Sequence, residues 1–177
     1  MGRRMQSSET SGSQKRGAGL PAGVHIREAT TADLPELAAF LTALFSQERD
    51  FKPDEEKQLR GLRLILERPH AGRIFVILHQ SRLAGMVNLL FTVSTAEGGD
   101  VIWLEDLFVR SELRGQGFGS KLLRHAIEFA QREGFLRLTL LTDGGPNPAR
   151  EFYLRHGFAP SQMVPLRRQL GAQAAGG

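Results

Sequence analysis

The sequence predicts an α/β fold: a single domain in which a mixed, mostly antiparallel sheet is flanked by helices. Three observations carry this. Two helical periodicities come first, three apolar stretches of strand composition follow with only short turns between them, and then a strand, a glycine loop, a helix and a strand succeed one another. Short turns join antiparallel neighbours, whereas a strand that returns through a helix lies parallel, so both kinds of pairing meet in one sheet.

In chain order, residues 1–22 are rich in Gly, Ser and basic side chains and nearly free of large apolar ones, the composition of a disordered extension. Gly171 to Gly177 reads as a flexible tail of the same kind, leaving residues 23–170 for the folded domain. Val24 to Ala29 alternates as a first strand. Thr30 and Thr31 are caps for a helix whose Leu34, Leu37, Ala38, Leu41, Leu44 and Phe45 recur at helical spacing. Pro53 and the acidic Asp54, Glu55 and Glu56 open a second helix with Leu59, Leu62, Ile65 and Leu66 on its apolar side, and Pro69 stops it.

Ile74 to His79 and Leu83 to Thr95 form a hairpin around Gln80-Ser81-Arg82; Val101 to Val109 pairs back after the turn Glu97-Gly98-Gly99-Asp100. Ser120 to Glu133 is helical, with Leu122, Leu123, Ala126, Ile127 and Ala130 on one face. Leu136 to Leu141 is the next strand, Asn147 to His156 a short helix, and Met163 to Leu166 a last strand.

The formal charge of +4 sits mostly at the ends: residues 1–22 carry +3 and residues 167–177 carry +2, which leaves −1 on the body. A near-neutral body lacks the broad basic surface that tracks nucleic-acid phosphates, so no nucleic-acid partner is expected. The chain has no cysteine, hence no disulfide framework, thiol nucleophile or thiolate metal site. His25, His70, His79, His125 and His156 show no metal-ligand spacing, and no metal is expected. No apolar run approaches the ~20 residues that span a bilayer, so the expectation is a soluble cytoplasmic protein without a membrane partner.

The stretch that organises the chemistry is Val101 to Ser120. Its strand runs into Arg114-Gly115-Gln116-Gly117-Phe118-Gly119 and then, from Ser120, into a helix. Free amides at a helix start, reinforced by the helix dipole, suit an anionic phosphate, and glycine allows the ligand to come close. Further on, Ala149 to Phe158 reads AREFYLRHGF, with Tyr153, the only tyrosine of the chain, four residues after the alanine.

With these two segments the chain resembles the GNAT superfamily of N-acetyltransferases over about Val24 to Leu170, most sharply from Trp103 to Phe158. The first segment fits that family's R/Q-x-x-G-x-G/A loop, and the second its later alanine, tyrosine and Gly-Phe. The resemblance implies a GNAT-like acyl-CoA N-acyltransferase fold and acetyl-CoA as the acetyl donor. Its pyrophosphate would be held by Arg114, Gly115, Gln116, Gly117, Phe118, Gly119 and Ser120. The backbone of Leu107, Phe108 and Val109, on a splayed fourth strand, would pair with the pantetheine arm, and a bulge there would free an N–H for an oxyanion. Ala149 and Phe152 are placed beside the coenzyme in the same way. Where the family often has an asparagine for the pantetheine, this chain has Pro146; Asn147 comes one later, either as that contact or as a helix N-cap before Pro148.

Transfer from a thioester expels a thiolate, whose thiol titrates near ~8.5, and a nearby phenol can protonate it. The resemblance gives that acid role to Tyr153. An amine acceptor must lose a proton before it attacks, which calls for a carboxylate at the cleft floor. Glu105 and Asp106 are adjacent on one strand, so alternation sends them to opposite faces. Glu105 is expected as base or proton relay and Asp106 as an amine contact, the arrangement that polyamine and thialysine acetyltransferases of the superfamily suggest. The reading is therefore an acetyl-CoA-dependent N-acetyltransferase acting on a small-molecule or protein amine, with a homodimer left open. A non-catalytic acyl-CoA sensor and a dinucleotide-binding protein, the latter because Asp143 follows the glycine loop at a suitable distance, are the alternatives.

Overall fold

The computed structural model describes residues 23–47, 52–143, 145–168 and 170. The expected extension over 1–22 and tail over 171–177 lie outside the described residues. In order come β1 (Val24–Glu28), α1 (Leu34–Phe45), α2 (Glu55–Glu67), β2 (Gly72–His79), β3 (Arg82–Ser94), β4 (Gly99–Val109), α3 (Phe118–Arg132), β5 (Leu138–Leu140) and α4 (Pro148–Arg155). The five strands form one sheet in the order β1-β2-β3-β4-β5. The first four run antiparallel to one another, and β5 joins β4 in parallel, through α3 as the crossover. A dinucleotide-binding unit requires a parallel, doubly wound sheet, so the antiparallel pairings set that alternative aside.

Both faces of the sheet are covered, which is why β2 reads as a continuous apolar run. Its Ile74, Val76 and Leu78 pack with α1 and α2, around Leu37, Leu41 and Leu62. Its Phe75 and Ile77 face α3, around Leu122, Leu123 and Ala126. Leu122 and Leu123 are fully buried; truncating either to alanine is expected to cost roughly 2–5 kcal/mol.

Polar contacts fix how α1 meets the sheet. Asp33, just ahead of α1, takes two bonds from the Arg27 guanidinium at 2.7 and 2.9 Å and a third from the Thr30 amide at 2.7 Å. Those donors, the Arg27 bonds foremost, hold its carboxyl down to a pKa of about 2. At the other end of the sheet Arg110, just past β4, donates Nε to the Leu83 carbonyl at 2.7 Å and ion-pairs with Glu36 of α1. The β2–β3 hairpin turns on Gln80 and Ser81, both left-handed (φ 50° and 63°), the primed geometry that matches strand twist.

Two irregularities in β4 position the site. Its pairing with β5 covers only Ile102, Trp103 and Leu104, although β4 continues, paired to β3, as far as Val109. From Glu105 onward the two parallel strands have parted. At that same point the β3–β4 register slips: Leu89 faces Leu104, Asn88 faces Asp106, and Glu105 is the extra residue of a bulge. The bulge resets the alternation. Ile102 and Leu104 before it and Leu107 and Val109 after it all pack on the α3 side. Glu105 and Asp106 are therefore not related by simple alternation, as had been expected, and the bulge lies two residues ahead of Leu107–Val109 rather than within it.

The last expected strand does not form. Met163 to Leu166 has no strand pairing, and Met163, Val164 and Leu166 stand 79–95% exposed. Pro160 precedes this run and Pro165 lies within it, which disfavours ladder formation. Among the described residues no helix is long and apolar enough to cross a membrane.

Candidate active site

The glycine loop follows a short 3-10 turn at Ser111–Leu113. Gly115 and Gly117 both adopt left-handed backbone (φ 75° and 85°), which an L side chain would strain. Gly117 is the N-cap of α3 and no side chain caps the helix, so the amides of Phe118, Gly119 and Ser120 begin it without intrahelical acceptors. No acidic residue stands in the first turn. Phe118 is buried against the His79 ring and anchors the loop. Arg114 is exposed but braced: its Nε donates to the Val109 carbonyl at 3.1 Å and its guanidinium lies over the Phe108 ring. Gln116 folds back on the loop, donating to the Glu112 carbonyl at 2.9 Å.

Helix α4 packs its aromatic side against this loop. The Phe152 ring lies 3.6 Å from where a Gly119 side chain would begin, so the two segments singled out in the sequence meet in space. Asn147 caps α4. Its oxygen accepts from the Arg150 amide at 2.8 Å and its nitrogen donates to the Asp143 carbonyl at 2.9 Å, the bonds of a helix cap. Pro148 follows at the helix start, as a cap of this kind favours. Ala149 is exposed on the first turn.

Tyr153 sits between the rings of Phe152 and Phe158, at 5.2 and 5.7 Å. Burial, and secondarily the charge of Asp106, push its phenol up to about 12. Like any phenol it is protonated throughout the neutral range.

Asp106 and Glu105 differ sharply in setting. Asp106 is buried, 8% exposed, and accepts from Asn88 Nδ2 at 3.1 Å. Glu105 is exposed, the unpaired residue of the bulge. The register slip makes Asp106 the inward carboxylate of the pair. It lies on the floor of a cavity of about 270 Å³ between the sheet, α1 and α2. Leu41, Phe45, Leu62 and Ile65 make the apolar walls, and Lys52, Asp54 and Lys57 the polar side.

The chain and its fold have counterparts among known proteins. The profile of the Acetyltransferase (GNAT) family matches residues 35–158. The chain belongs to the GNAT family. An uncharacterised N-acetyltransferase, YhfO, of Bacillus subtilis (strain 168) is 30% identical over 138 residues, covering 76% of this chain and 89% of that protein. An aminoalkylphosphonate N-acetyltransferase of Salmonella typhimurium is 28% identical over 138 residues, covering 78% of this chain and 86% of that one. Among solved structures, an integron cassette protein from the mobile metagenome of Cole Harbour Salt Marsh superposes with a TM-score of 0.72 at 27% identity, over 82% of this chain and 90% of the other.

Within this GNAT chain the structure brings together Arg114 to Ser120, Phe152, Tyr153 and the end of β4, and leaves Glu105 and Ala149 facing outward. Five polar or special residues at the cavity were not singled out from the sequence: Lys52, Lys57, Gln58, Gly61 and Asn88. The signal for Asn88 was present, a lone amide inside the apolar run Leu83–Phe91, buried to 3%. Gln58 hid in a helix that reads as plain amphipathic, yet it is 5% exposed and accepts from the Thr42 hydroxyl at 2.8 Å.

Proposed function

We propose that the protein transfers the acetyl group of acetyl-CoA to a primary amine by direct attack in a ternary complex. One observation carries this most: α4, which bears the half-buried phenol of Tyr153, packs on the glycine loop at the end of β4, and that strand bears the buried carboxylate of Asp106 just past the point where β5 leaves it. The phenol can donate a hydrogen bond and the carboxylate can take a proton, beside a strand edge that pairs with β5 only as far as Leu104.

The residues fit the coenzyme. The uncapped start of α3 and the two left-handed glycines offer amides to a diphosphate, and the edge of β4 from Leu107 to Val109, freed by the parting of β5, offers backbone partners to an extended amide-bearing arm. When bound, acetyl-CoA supplies an activated acyl group on a thiol leaving group. Arg114 adds a positive charge beside the glycine loop. Phe152 packs against Gly119 and holds α4, and hence Tyr153, to that loop.

On the acceptor side, Asp106 binds the incoming ammonium and takes up its proton, directly or through water, which Coulomb attraction and burial both favour. Asn88 holds that carboxylate in place through its Nδ2. Tyr153 keeps its proton until negative charge grows on the departing sulfur, and then stabilises it by donation.

The test is release of CoA thiol from acetyl-CoA with a panel of primary amines, followed by the Tyr153→Phe variant. The expected result is turnover in the wild type, with Tyr153→Phe lowering it at little change in acetyl-CoA affinity. Unchanged turnover removes the acid role from Tyr153, and no thiol release with any amine removes the reading itself.

A further inference from the structure

Gly61 is the seventh of the thirteen residues of α2, at the middle of the helix. Glycine there costs about 1 kcal/mol relative to alanine. Two structural needs usually account for such a residue, and neither applies. Its backbone is not left-handed, and a side chain begun at its position would meet no atom within 4 Å. What Gly61 does border is the cavity floored by Asp106. The missing side chain is part of that cavity's volume.

The rest of the lining says what fills it. Asn88 Nδ2 donates to Asp106, an orientation fixed because a carboxylate only accepts, and this leaves Asn88 Oδ1 buried with no donor among the described residues. An unmet acceptor beside a carboxylate is a pair of hydrogen-bond sites for one ammonium group. Beyond that floor the walls are aliphatic and aromatic. The further carboxylate, Asp54, is already committed, to the Lys57 ammonium at 2.6 Å and to the Lys57 amide as the cap of α2. Lys52 on the same side repels a second cationic centre. The volume, about 270 Å³, is at the small end for ligand sites.

We infer that the cavity receives a primary monoamine with an apolar body, its ammonium on Asp106 and Asn88, and that Gly61 sets how large that body can be. This rests on the acetyltransferase reading given above and adds to it the class of acceptor and the residue that gauges it. A polyamine is disfavoured by the same apolar walls, because among the described lining residues the carboxylate beyond Asp106 is Asp54, which Lys57 already holds.

The experiment measures kcat/KM by thiol release for n-propylamine, n-hexylamine, 4-phenylbutylamine and spermidine, in the wild type and in Gly61→Ala and Gly61→Leu. The expected wild-type ranking places the two larger monoamines above spermidine. In Gly61→Leu the ratio of phenylbutylamine to propylamine falls by roughly tenfold or more, since a few methylenes in an apolar pocket discriminate on that scale. Gly61→Ala shifts the ratio the same way by less while raising the melting temperature, which separates a filled pocket from a damaged helix. An unchanged ratio in a folded Gly61→Leu, or spermidine as the preferred wild-type acceptor, overturns the inference and leaves the acetyltransferase reading standing. No thiol release with any amine overturns both.

Discussion

The two faces of the sheet are built by different means. On the α3 side the candidate coenzyme-binding groups lie on two continuous segments, Arg114 to Ser120 and Ala149 to Phe158, and consist largely of backbone amides made available by left-handed glycines and an uncapped helix. On the α1–α2 side the cavity draws single side chains from four elements: Leu41 from α1, Gln58, Gly61 and Leu62 from α2, Asn88 from β3 and Asp106 from β4. A diphosphate is the same in every substrate, so one local backbone solution suffices. An acceptor is recognised by shape and charge, and scattered side chains are what change shape and charge without disturbing the sheet. The two faces meet at the bulge, where β4 turns Asp106 toward the cavity while its outer edge is left open by β5.

That division predicts a crossed pattern, and the largest effect should come from the seam. Asp106→Asn keeps the shape but removes the charge and the base. It should cut kcat/KM for the amine by about 100-fold or more, while acetyl-CoA affinity by calorimetry stays nearly unchanged. Glu105→Gln, one residue away but exposed, should change little. If the two results come out reversed, the bulge has not assigned the carboxylates as described, and the polyamine-type arrangement expected from the sequence returns.

Next in size is Tyr153→Phe, which keeps the ring between Phe152 and Phe158 and loses only the hydroxyl. A fall in kcat of about 10- to 100-fold is expected, at constant acetyl-CoA affinity. It also carries a stability signature. The phenol's folded value, about 12, lies above its ordinary value near 10, so the folded state holds the proton more tightly. The stabilisation this gives is full below pH 10 and is lost as the pH rises from there through 12. The phenylalanine variant should lack that part of the alkaline loss, and chemical denaturation at stepped pH would register it.

A smaller effect is expected from Gly117→Val on the α3 side. A branched side chain at φ 85° strains the loop and crowds the amides at the start of α3. The KM for acetyl-CoA should rise about tenfold, on the basis of roughly 1–3 kcal/mol of strain, with the amine KM unmoved. A rise in both constants together would break the comparison, because it would mean the two faces do not act independently.

The same contrast governs what was legible in the sequence. The order of elements and the glycine loop follow from local periodicity and contiguous segments, and the meeting of Phe152 and Tyr153 with that loop is what the resemblance to the GNAT family implies. The helix spanning Leu34 to Phe45 has the bounds that its apolar spacing predicts. What the sequence withheld depends on one non-local event, the slip between Asn88 and Leu89. No residue pattern within β4 marks it, and alternation applied through it puts Glu105 and Asp106 on opposite faces. Asn88 becomes meaningful only once it is seen opposite Asp106, and Gly61 only once the space beside it is seen to be empty. Met163 to Leu166 misleads in the other direction: apolar side chains are there, but Pro165 interrupts them and no ladder forms.

The smallest expected effect tests whether the α1–α2 face can be loosened alone. Asp33 anchors the start of α1, and its carboxyl, drawn down to about 2 by Arg27 and the Thr30 amide, titrates below its ordinary value of 3.8. A depressed carboxyl contributes stability above the unfolded value, and that contribution is lost as the pH falls from 3.8 through 2. With Arg27 more than a third exposed, its worth is discounted to about 1–2 kcal/mol. Asp33→Asn should therefore lower the melting temperature at pH 7 by a few degrees and flatten the acid limb of stability against pH. Because α1 carries Leu41 into the cavity wall while α3 is held by separate contacts, the amine KM should rise modestly and acetyl-CoA affinity should hold. An acid limb as steep as that of the wild type would show that Asp33 is not what holds α1 to β1, and a loss of coenzyme affinity would show that the anchor serves the whole sheet rather than one side of it.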